Sequence, residues 1–422
     1  MRCRLTVGSF ALFVLPALAG CATREETTPP FVPQPLPEPP AAAAAPTQLV
    51  KVGLLVPLTG TAASLGQDLL EAAQLALFEV PDNRIELLPR DTGDGPQQAV
   101  TAARAALDGG AELLIGPLFA RSTTAVAPLA AERNVKLLSF SNDATIAGNG
   151  VYVLGFRPEE QIARIVGYAA SQSLARFGAL APDDTYGGRG LAAWRAAVGA
   201  EPQTQAVIAA TYATDGDPSA AVREVAAAGR PGGLPAPLPE SPAFAGTDDA
   251  QESPAAAPLP PPGVDAVLIA DGGARVVNVA AGLARYGVAP PASRLLGTMR
   301  WQDDNQLMSE PLLQGAWFAT WPPDAIAAFG RKFAAAYGRQ PAPLAVLAYD
   351  ATALAALLSA TTPRFTPEQL AAPSGFAGGS GIFRLLDDGR AEHGLAIVEI
   401  ARGGIRQLEA APQTFVTGTP QY

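Results

Sequence analysis

The sequence predicts an α/β protein with two lobes, each built on a doubly wound parallel sheet. Short apolar runs alternate with segments of helical periodicity along most of the chain, and the spacing leaves room for one helix between successive strands. The chain has 422 residues, of which 48% are apolar and 16% are charged. It is therefore long enough for two or three domains with hydrophobic cores.

The N-terminus resembles that of a bacterial lipoprotein. Residues 1–20 carry two arginines, an apolar run and small residues, which is typical of a secretory signal peptide and is short for a membrane span. Residues 18–21, Leu-Ala-Gly-Cys, resemble the lipobox, in which Cys21 is lipidated and becomes the mature N-terminus. An ordinary signal peptide with an unrelated cysteine is the alternative. Ala22 favours sorting to the outer membrane, so we expect a lipid-anchored protein of the cell envelope that faces the periplasm.

Two segments are rich in proline. Residues 21–48 are predicted to form a tether, because eight prolines between residues 22 and 48 leave no apolar pattern from which to build a core. Residues 230–263 are predicted to be a disordered insertion inside a domain, since an ordered loop of this length without secondary structure would be unusual. Residues 411–422 are expected to form a C-terminal tail.

After the tether, the first half of the remaining sequence predicts alternating strands and helices. Residues 49–57 form a buried strand, and Ser64 to Gln67 fit a capping box at the start of a helix. An apolar strand then breaks at Gly116-Pro117 and restarts as a helix near Ser122. Loops of this kind often hold small anions in α/β proteins.

The second half repeats the alternation and then changes character. A helical stretch at residues 218–228 and a strand at 264–270 flank the insertion. Near the C-terminus, two apolar runs meet at Asp387-Asp388-Gly389, which predicts a β-hairpin. The body is therefore expected to consist of two parallel-sheet lobes followed by a hairpin.

Composition excludes several classes of function. A net charge of −10 argues against a nucleic-acid partner, because the phosphate backbone binds basic surfaces. His393 is the one histidine, and Cys3 and Cys21 are the two cysteines, so the body offers no disulfide, no thiol nucleophile and no histidine-rich or thiolate metal site. No P-loop, GxSxG or GxGxxG motif is present. We expect neither enzymatic activity nor a cofactor or metal.

Five segments together resemble type 1 periplasmic binding proteins of the leucine-binding group. They occur in the order expected for that group, at residues 50–77, 91–123, 183–190, 349–357 and 375–400. The resemblance implies two lobes joined by three crossovers, placed near residues 155, 318 and 380. The first lobe would comprise 49–155 and 319–379, and the second 156–318 and 380–410.

The resemblance also implies ligand-binding positions. Ala120 stands where amino-acid receptors of the group present a serine to the ligand carboxylate, and Tyr186 matches their tyrosine. Arg275 falls near the acid that usually meets the ligand ammonium, with Asp271 before it. An arginine offers only donors, so the usual clamp for a zwitterion is broken. The complete candidate set is Ala120, Arg121, Ser122, Ser141, Asn142, Asp143, Tyr186, Asp271 and Arg275.

Arg121 and Arg275 suggest an anion clamp across the cleft. The alternatives are that both arginines are solvated loop residues, that Ser122 caps a helix and that Tyr186 packs in a wall. Paired aspartates at 183–184 and 303–304 are typical of turns and caps. The cleft would then hold a small anionic or amino-acid-like ligand, or no ligand at all.

Two functions remain open. The sequence favours a lipoprotein that resembles the penicillin-binding protein activators and contacts a peptidoglycan synthase, because a long tether suits reach across the periplasm. The alternative is a solute receptor that delivers branched-chain amino acids or related ligands to an ABC permease. The helical repeat domain that precedes the fold in the best-known activators is not found in this sequence.

Overall fold

The first sheet is entirely parallel, as the alternating pattern predicts. The computed structural model describes residues 49–80, 84–238, 259–302, 304–360 and 364–415. Five strands pair in the order β2-β1-β3-β4-β5. The elements are β1 (Val50–Val56), α1 (Ala63–Glu79), β2 (Ile85–Asp91), α2 (Pro96–Asp108), β3 (Leu113–Ile115), α3 (Ala120–Glu132), β4 (Lys136–Ser139) and β5 (Val151–Val153).

The second sheet begins after a crossing from β5. Its five parallel strands lie in the order β10-β9-β8-β6-β7. The elements are α4 (Pro158–Ser171), β6 (Arg176–Pro182), α5 (Thr185–Ala200), β7 (Gln205–Tyr212), α6 (Ser219–Ala227), β8 (Ala266–Ile269), α7 (Ala274–Ala284), β9 (Arg294–Gly297), α8 (Asn305–Ser309) and β10 (Trp317–Thr320).

The chain then returns to the first lobe. The long helix α10 packs along α1, and a small antiparallel sheet follows. The Val153 N–H of β5 donates to the Gly389 carbonyl at 2.8 Å, which ties the small sheet to the first lobe. The elements are α9 (Pro323–Tyr337), α10 (Ala345–Leu358), α11 (Pro367–Leu370), β11 (Phe376–Gly378), β12 (Gly381–Leu385) and β13 (Ala391–His393).

The last two strands belong to the second lobe. β14 (Ala396–Ala401) pairs antiparallel with β10, and β15 (Gly404–Glu409) pairs with β14, which extends the second sheet to seven strands. The hairpin predicted at Asp387-Asp388-Gly389 is confirmed as β12 and β13, with Leu385 opposite Ala391. A second hairpin, β14 and β15, follows it.

Three crossings connect the lobes. They lie between Val153 and Pro158, between Thr320 and Pro323, and between His393 and Ala396. The third comes later than residue 380, where the sequence places it, because the β12–β13 turn is bonded to β5 and keeps this hairpin in the first lobe. Residues 380–393, assigned from sequence to the second lobe, therefore lie with the first.

An aromatic cluster with one residue from each crossing joins the lobes. The ring of Phe156 lies 4.4 Å from that of Trp321 and 4.6 Å from that of His393, centroid to centroid. His393 Nδ1 lies 3.1 Å from a carboxylate oxygen of Glu160 at the start of α4. We call these four residues the hinge cluster. This packing brings the three crossings together at the junction of the lobes.

The signal peptide, the tether and the middle of the proline-rich insertion are predicted features that the structure does not describe. The signal peptide, Cys21 and the tether lie outside the described residues, as do residues 239–258 of the insertion. The insertion's described ends are packed: Arg230 is buried, and the Leu238 N–H donates to the Arg285 carbonyl at 2.7 Å. Within the described part of the chain, no helix is long and apolar enough to cross a membrane.

The predicted capping box at Ser64 is wrong. The N-cap of helix α1 is Ala62, two residues before Ser64, and it makes no side-chain capping bond. Ser64 therefore sits inside the first turn, where its hydroxyl is no longer placed to cap the helix.

Candidate ligand-binding cleft

A cleft of about 890 Å³ opens between the lobes. The first lobe contributes the loops after β3 and β4 and the segment before α10, while the second contributes the starts of α4 and α5 and the turn after β9. Most of the lining is apolar, with polar groups at a few points, which is the usual composition of a small-molecule site. The lining comprises Leu65, Leu118, Phe119, Ala120, Phe140, Ser141, Asn142, Gly155, Phe156, Gln161, Asp184, Tyr186, Met299, Arg300, Trp321, Pro343 and Leu344.

The loop between β3 and α3 forms one wall of the cleft. Gly116 has φ of +90°, and a Cβ there would lie 2.1 Å from the Leu55 carbonyl oxygen, so the turn requires glycine. Phe119 is the N-cap of α3 and gives no side-chain capping bond. The first-turn N–H groups of α3, beginning at Ala120, are therefore left for another acceptor.

A hydroxyl pair joins this loop to the next one. Thr123 Oγ1 lies 2.7 Å from Ser139 Oγ, which also accepts the Ser141 N–H at 3.1 Å. Both hydroxyls are fully buried. Ser141 and Asn142 line the cleft beside Ala120 as a result of this fixed arrangement.

The second lobe supplies a cation stacked on an aromatic ring. The Arg300 guanidinium lies 4.5 Å from the centre of the Tyr186 ring, and the Tyr186 hydroxyl donates to Thr298 Oγ1 at 3.0 Å. Burial raises the pKa of Tyr186, so its hydroxyl stays neutral. Arg300 is exposed and, among the described residues, has no carboxylate partner. A cation in a cleft with apolar walls attracts an anionic ligand.

Asp184 is the acidic residue of the cleft. As N-cap of α5 it accepts the Gly187 N–H at 2.7 Å through Oδ1, so the helix start already stabilises its charge. The remaining oxygen, Oδ2, has no hydrogen-bond partner among the described residues and is free to accept a ligand donor.

Arg275 and Asp271 bind each other and do not line the cleft. Arg275 donates through Nε and Nη2 to the two oxygens of Asp271, at 2.7 and 2.8 Å. Tyr212 and the Gly272 N–H also donate to this carboxylate, at 2.8 and 2.7 Å. Burial opposes the ionisation of Asp271, but these bonds hold its pKa below the ordinary value. The positive charge of Arg275 is thereby neutralised within the second lobe.

The structure does not bring the predicted anion clamp together. Arg121 is exposed on the first turn of α3 and is not part of the lining, and Arg275 is held by Asp271. Ser122 is buried at the third residue of α3, so it is not the N-cap. Asp143 caps a short 3₁₀ turn, where it accepts the Thr145 N–H at 3.0 Å. Of the nine candidates, the lining includes Ala120, Ser141, Asn142 and Tyr186.

Sequence reasoning missed Arg300, Gln161 and Trp321. Arg300 lies in the segment after β9, beside Trp301, whose indole donates to the Asp271 carbonyl at 3.0 Å from a fully buried position. The signal available was the position of Arg300 after a parallel strand, where ligand sites of α/β sheets occur. Among the described residues, no group of three or more potential metal ligands is found.

Two α/β lobes joined by three crossings around a cleft define a type 1 periplasmic binding fold, as the sequence predicts. The chain belongs to the periplasmic binding protein family, whose model matches residues 49–404. Members of this family bind solutes and face the periplasm or the cell envelope.

Solved structures share this architecture. A protein from Rhodospirillum rubrum, described as a branched-chain amino acid ABC transporter, is 18% identical with a TM-score of 0.69, and the match covers 85% of this chain and 100% of that one. A solute-binding protein of an ABC transporter from Rhodopseudomonas palustris, in complex with 3,4-dihydroxybenzoic acid, is 18% identical with a TM-score of 0.56, covering 86% and 98%. At these identities the likeness establishes the fold.

A relative of known sequence matches over a shorter span. An uncharacterized protein of Rickettsia prowazekii is 23% identical over 137 residues, which is 32% of this chain and 36% of that protein.

Proposed function

We propose that this protein is a solute receptor for small organic acids, which it delivers to an ABC permease in the cell envelope. One observation carries the proposal. Arg300 stands in an apolar interlobe cleft, stacked on Tyr186 and without a carboxylate partner among the described residues. A ligand carboxylate would supply that partner, and the apolar lining would hold its hydrocarbon part.

The first lobe offers a second set of contacts to the same ligand. The uncapped start of α3 and Ser141 line the cleft from the first lobe, whereas Arg300 lines it from the second. A ligand held by both lobes favours the closed arrangement, because its contacts with the two walls are made together only there. Closure around bound solute is the state that a permease can distinguish from the empty receptor.

The ammonium of an amino acid is not required for this recognition. Asp271, the acid nearest the position that serves amino-acid receptors, is bonded to Arg275, Tyr212 and the Gly272 N–H. Among the described residues, Asp184 is the one carboxylate of the lining, and the Gly187 N–H and the start of α5 already stabilise its charge. Desolvating an ammonium against this single acceptor would cost about as much as the charged hydrogen bond returns, or more. Carboxylic acids without an amino group are therefore the favoured class.

The comparisons favour the receptor over the activator of a peptidoglycan synthase. The structural relatives are components of ABC transporters, and the fold of one of them holds an aromatic acid. We infer that Cys21 carries a lipid anchor and that residues 22–48 connect it to the receptor body.

Thermal unfolding in the presence of matched ligands tests the proposed function. We expect 4-methylpentanoate and benzoate to raise the melting temperature, and their neutral amides to leave it unchanged. At about 100 times Kd, a ligand adds roughly 2.7 kcal/mol to the free energy of unfolding. Arg300→Gln should weaken acid binding about tenfold or more, the effect of losing a charged hydrogen bond.

Arg402→Gln is the charge-matched control, because Arg402 is exposed in the turn between β14 and β15, outside the cleft. Equal stabilisation by acids and amides, or equal effects of the two substitutions, would contradict the proposed function.

A further inference from the structure

Gln161 is a mostly buried residue that brings an unpaired hydrogen-bond donor to the cleft. Its side chain is 5% exposed, and its Oε1 accepts the Met299 N–H at 2.9 Å. A backbone N–H can only donate, so the amide oxygen must face Met299, which leaves the amide NH₂ on the other side. Among the described residues this NH₂ has no acceptor. Gln161 lines the cleft, so a ligand can supply one.

Trp321 presents a second donor of the same kind. The residue is 2% exposed, and its indole Nε1 is buried with no hydrogen-bond partner among the described residues. Trp321 lines both the cleft and a smaller side chamber of about 350 Å³, and Pro343 lines both as well. Its ring packs edge-on against Phe156 at an interplanar angle of 80°, which fixes the indole in the hinge cluster.

These donors differ in kind from Arg300. Both are uncharged and more than nine-tenths buried, whereas Arg300 is charged and exposed. The Trp321 Nε1 is a buried donor without an acceptor among the described residues, a costly state that a ligand or water usually relieves, while the Gln161 NH₂ is unpaired at the wall of the cleft. An uncharged donor pair suits a neutral oxygen, while the guanidinium suits a carboxylate.

We propose that Gln161 and Trp321 determine specificity by binding a second oxygen acceptor of the ligand, remote from its carboxylate. The inference rests on the proposed function and narrows the class of ligand that the receptor would prefer. The preferred solutes are then oxo or hydroxy acids, rather than acids with a purely hydrocarbon body. Sites built to hydrogen-bond a substrate group discriminate strongly against analogues that lack it, because the buried donors are left unpaired.

Two near-isosteric ligand pairs test this inference by calorimetry on the full chain. The pairs are 4-oxopentanoate with 4-methylpentanoate, and 4-acetylbenzoate with 4-isopropylbenzoate. Within each pair, a methyl group in the second acid replaces the ketone oxygen of the first. In at least one pair we expect the oxo acid to bind the wild type about tenfold more tightly or better. Trp321→Phe removes one donor, and Gln161→Glu keeps the acceptor for Met299 while replacing the NH₂ by oxygen. Each variant should reduce the affinity ratio of the oxo acid to its hydrocarbon analogue to below about threefold.

Trp194→Phe is the matched control. Trp194 is also buried, and its Nε1 has no hydrogen-bond partner in the described part of the chain, but it lies on α5 outside the cleft lining. The affinity ratio of each ligand pair should therefore stay at the wild-type value. A ratio near one in the wild type for both pairs would overturn the inference while leaving the receptor function intact. Equal weakening of both members of a pair by Trp321→Phe and by Gln161→Glu would also overturn it. Failure of all four acids to bind would contradict the proposed function itself.

Discussion

Arg275 and Arg300 have opposite roles, although both follow strands of the second sheet. Arg275 is held by the fully buried carboxylate of Asp271, so its charge is compensated inside the lobe. Arg300 rests on the ring of Tyr186 and lines the cleft. Residue type alone does not distinguish the two arginines. The partner that the fold brings to each guanidinium determines whether its charge is available to a ligand.

Arg275→Gln tests the structural role of the first arginine. The substitution leaves the buried Asp271 with the Tyr212 hydroxyl and the Gly272 N–H as donors, and because Arg275 is 34% exposed the cost is about 1–3 kcal/mol. We expect a lower free energy of unfolding in urea and unchanged affinity for an organic acid. Asp271→Asn with Arg275→Gln should recover part of the loss. A large loss of affinity with unchanged stability would instead support the clamp predicted from sequence.

Asp350 gives the protein a pH-dependent stability. Its buried carboxyl accepts the N–H groups of Gly379 and Ser380, as well as the Ser380 hydroxyl. Burial nevertheless raises the pKa of Asp350 from 3.8 to about 6, so the folded state binds more protons than the unfolded state between these values. Its contribution to stability is therefore complete below pH 3.8 and is lost as pH rises through about 6.

The measurement is urea unfolding of the wild type and of Asp350→Asn from pH 4 to pH 7. Relative to the variant, the wild type should lose about 3 kcal/mol as pH rises through this range, since two pKa units correspond to roughly that free energy. Parallel stability curves for the two proteins would contradict this assignment.

At the scale of elements, the sequence predicts strands and helices well because each apolar run buries its side chains locally. It also predicts the break at Gly116-Pro117 and the β12–β13 turn, because turn-forming residues mark both places in the sequence. The third crossing is misplaced because its position depends on the bond between Val153 and Gly389, residues distant in sequence. The missing cap at Ser64 shows that a shift of two residues in the helix start removes a capping role.

Gly116→Ala tests the turn that presents α3 to the cleft. The positive φ and the clash with the Leu55 carbonyl should destabilise the fold by about 2 kcal/mol or more. Gly188→Ala is the control, because a Cβ at this position in α5 meets no atom within 4 Å. That substitution should stabilise the helix by about 0.5–1 kcal/mol. Similar unfolding midpoints for the two variants would contradict the requirement for glycine.

At the scale of the whole molecule, the two-lobed fold is predictable because its pattern repeats, whereas the cleft is not. Its lining combines Leu65 from the first helix, Arg300 from the turn after β9 and Leu344 before α10. Side chains so far apart in sequence carry no shared spacing. The resemblance places Tyr186 in the lining but does not identify Arg300, because the loops that surround the cleft depart from the family pattern.

Cys21→Ala tests the proposed anchor. Because the two lobes and their cleft lie in residues 49–415, we expect the variant to fold and to bind solute as the wild type does. It should move from the membrane fraction to the soluble fraction, and a labelled fatty acid should mark the wild type alone. An unlabelled wild type would contradict lipidation and would leave the receptor body without the proposed attachment.

Calorimetry with leucine and 4-methylpentanoate tests the central claim most directly, because the two ligands share a carboxylate and a hydrocarbon body and differ in the ammonium. The cleft as described offers Arg300 to the carboxylate, while Asp271 is engaged by Arg275. We predict that 4-methylpentanoate binds at least as tightly as leucine and that Arg300→Gln weakens it about tenfold or more. Binding of leucine about tenfold tighter than 4-methylpentanoate would contradict an organic-acid receptor and would identify an amino-acid receptor instead.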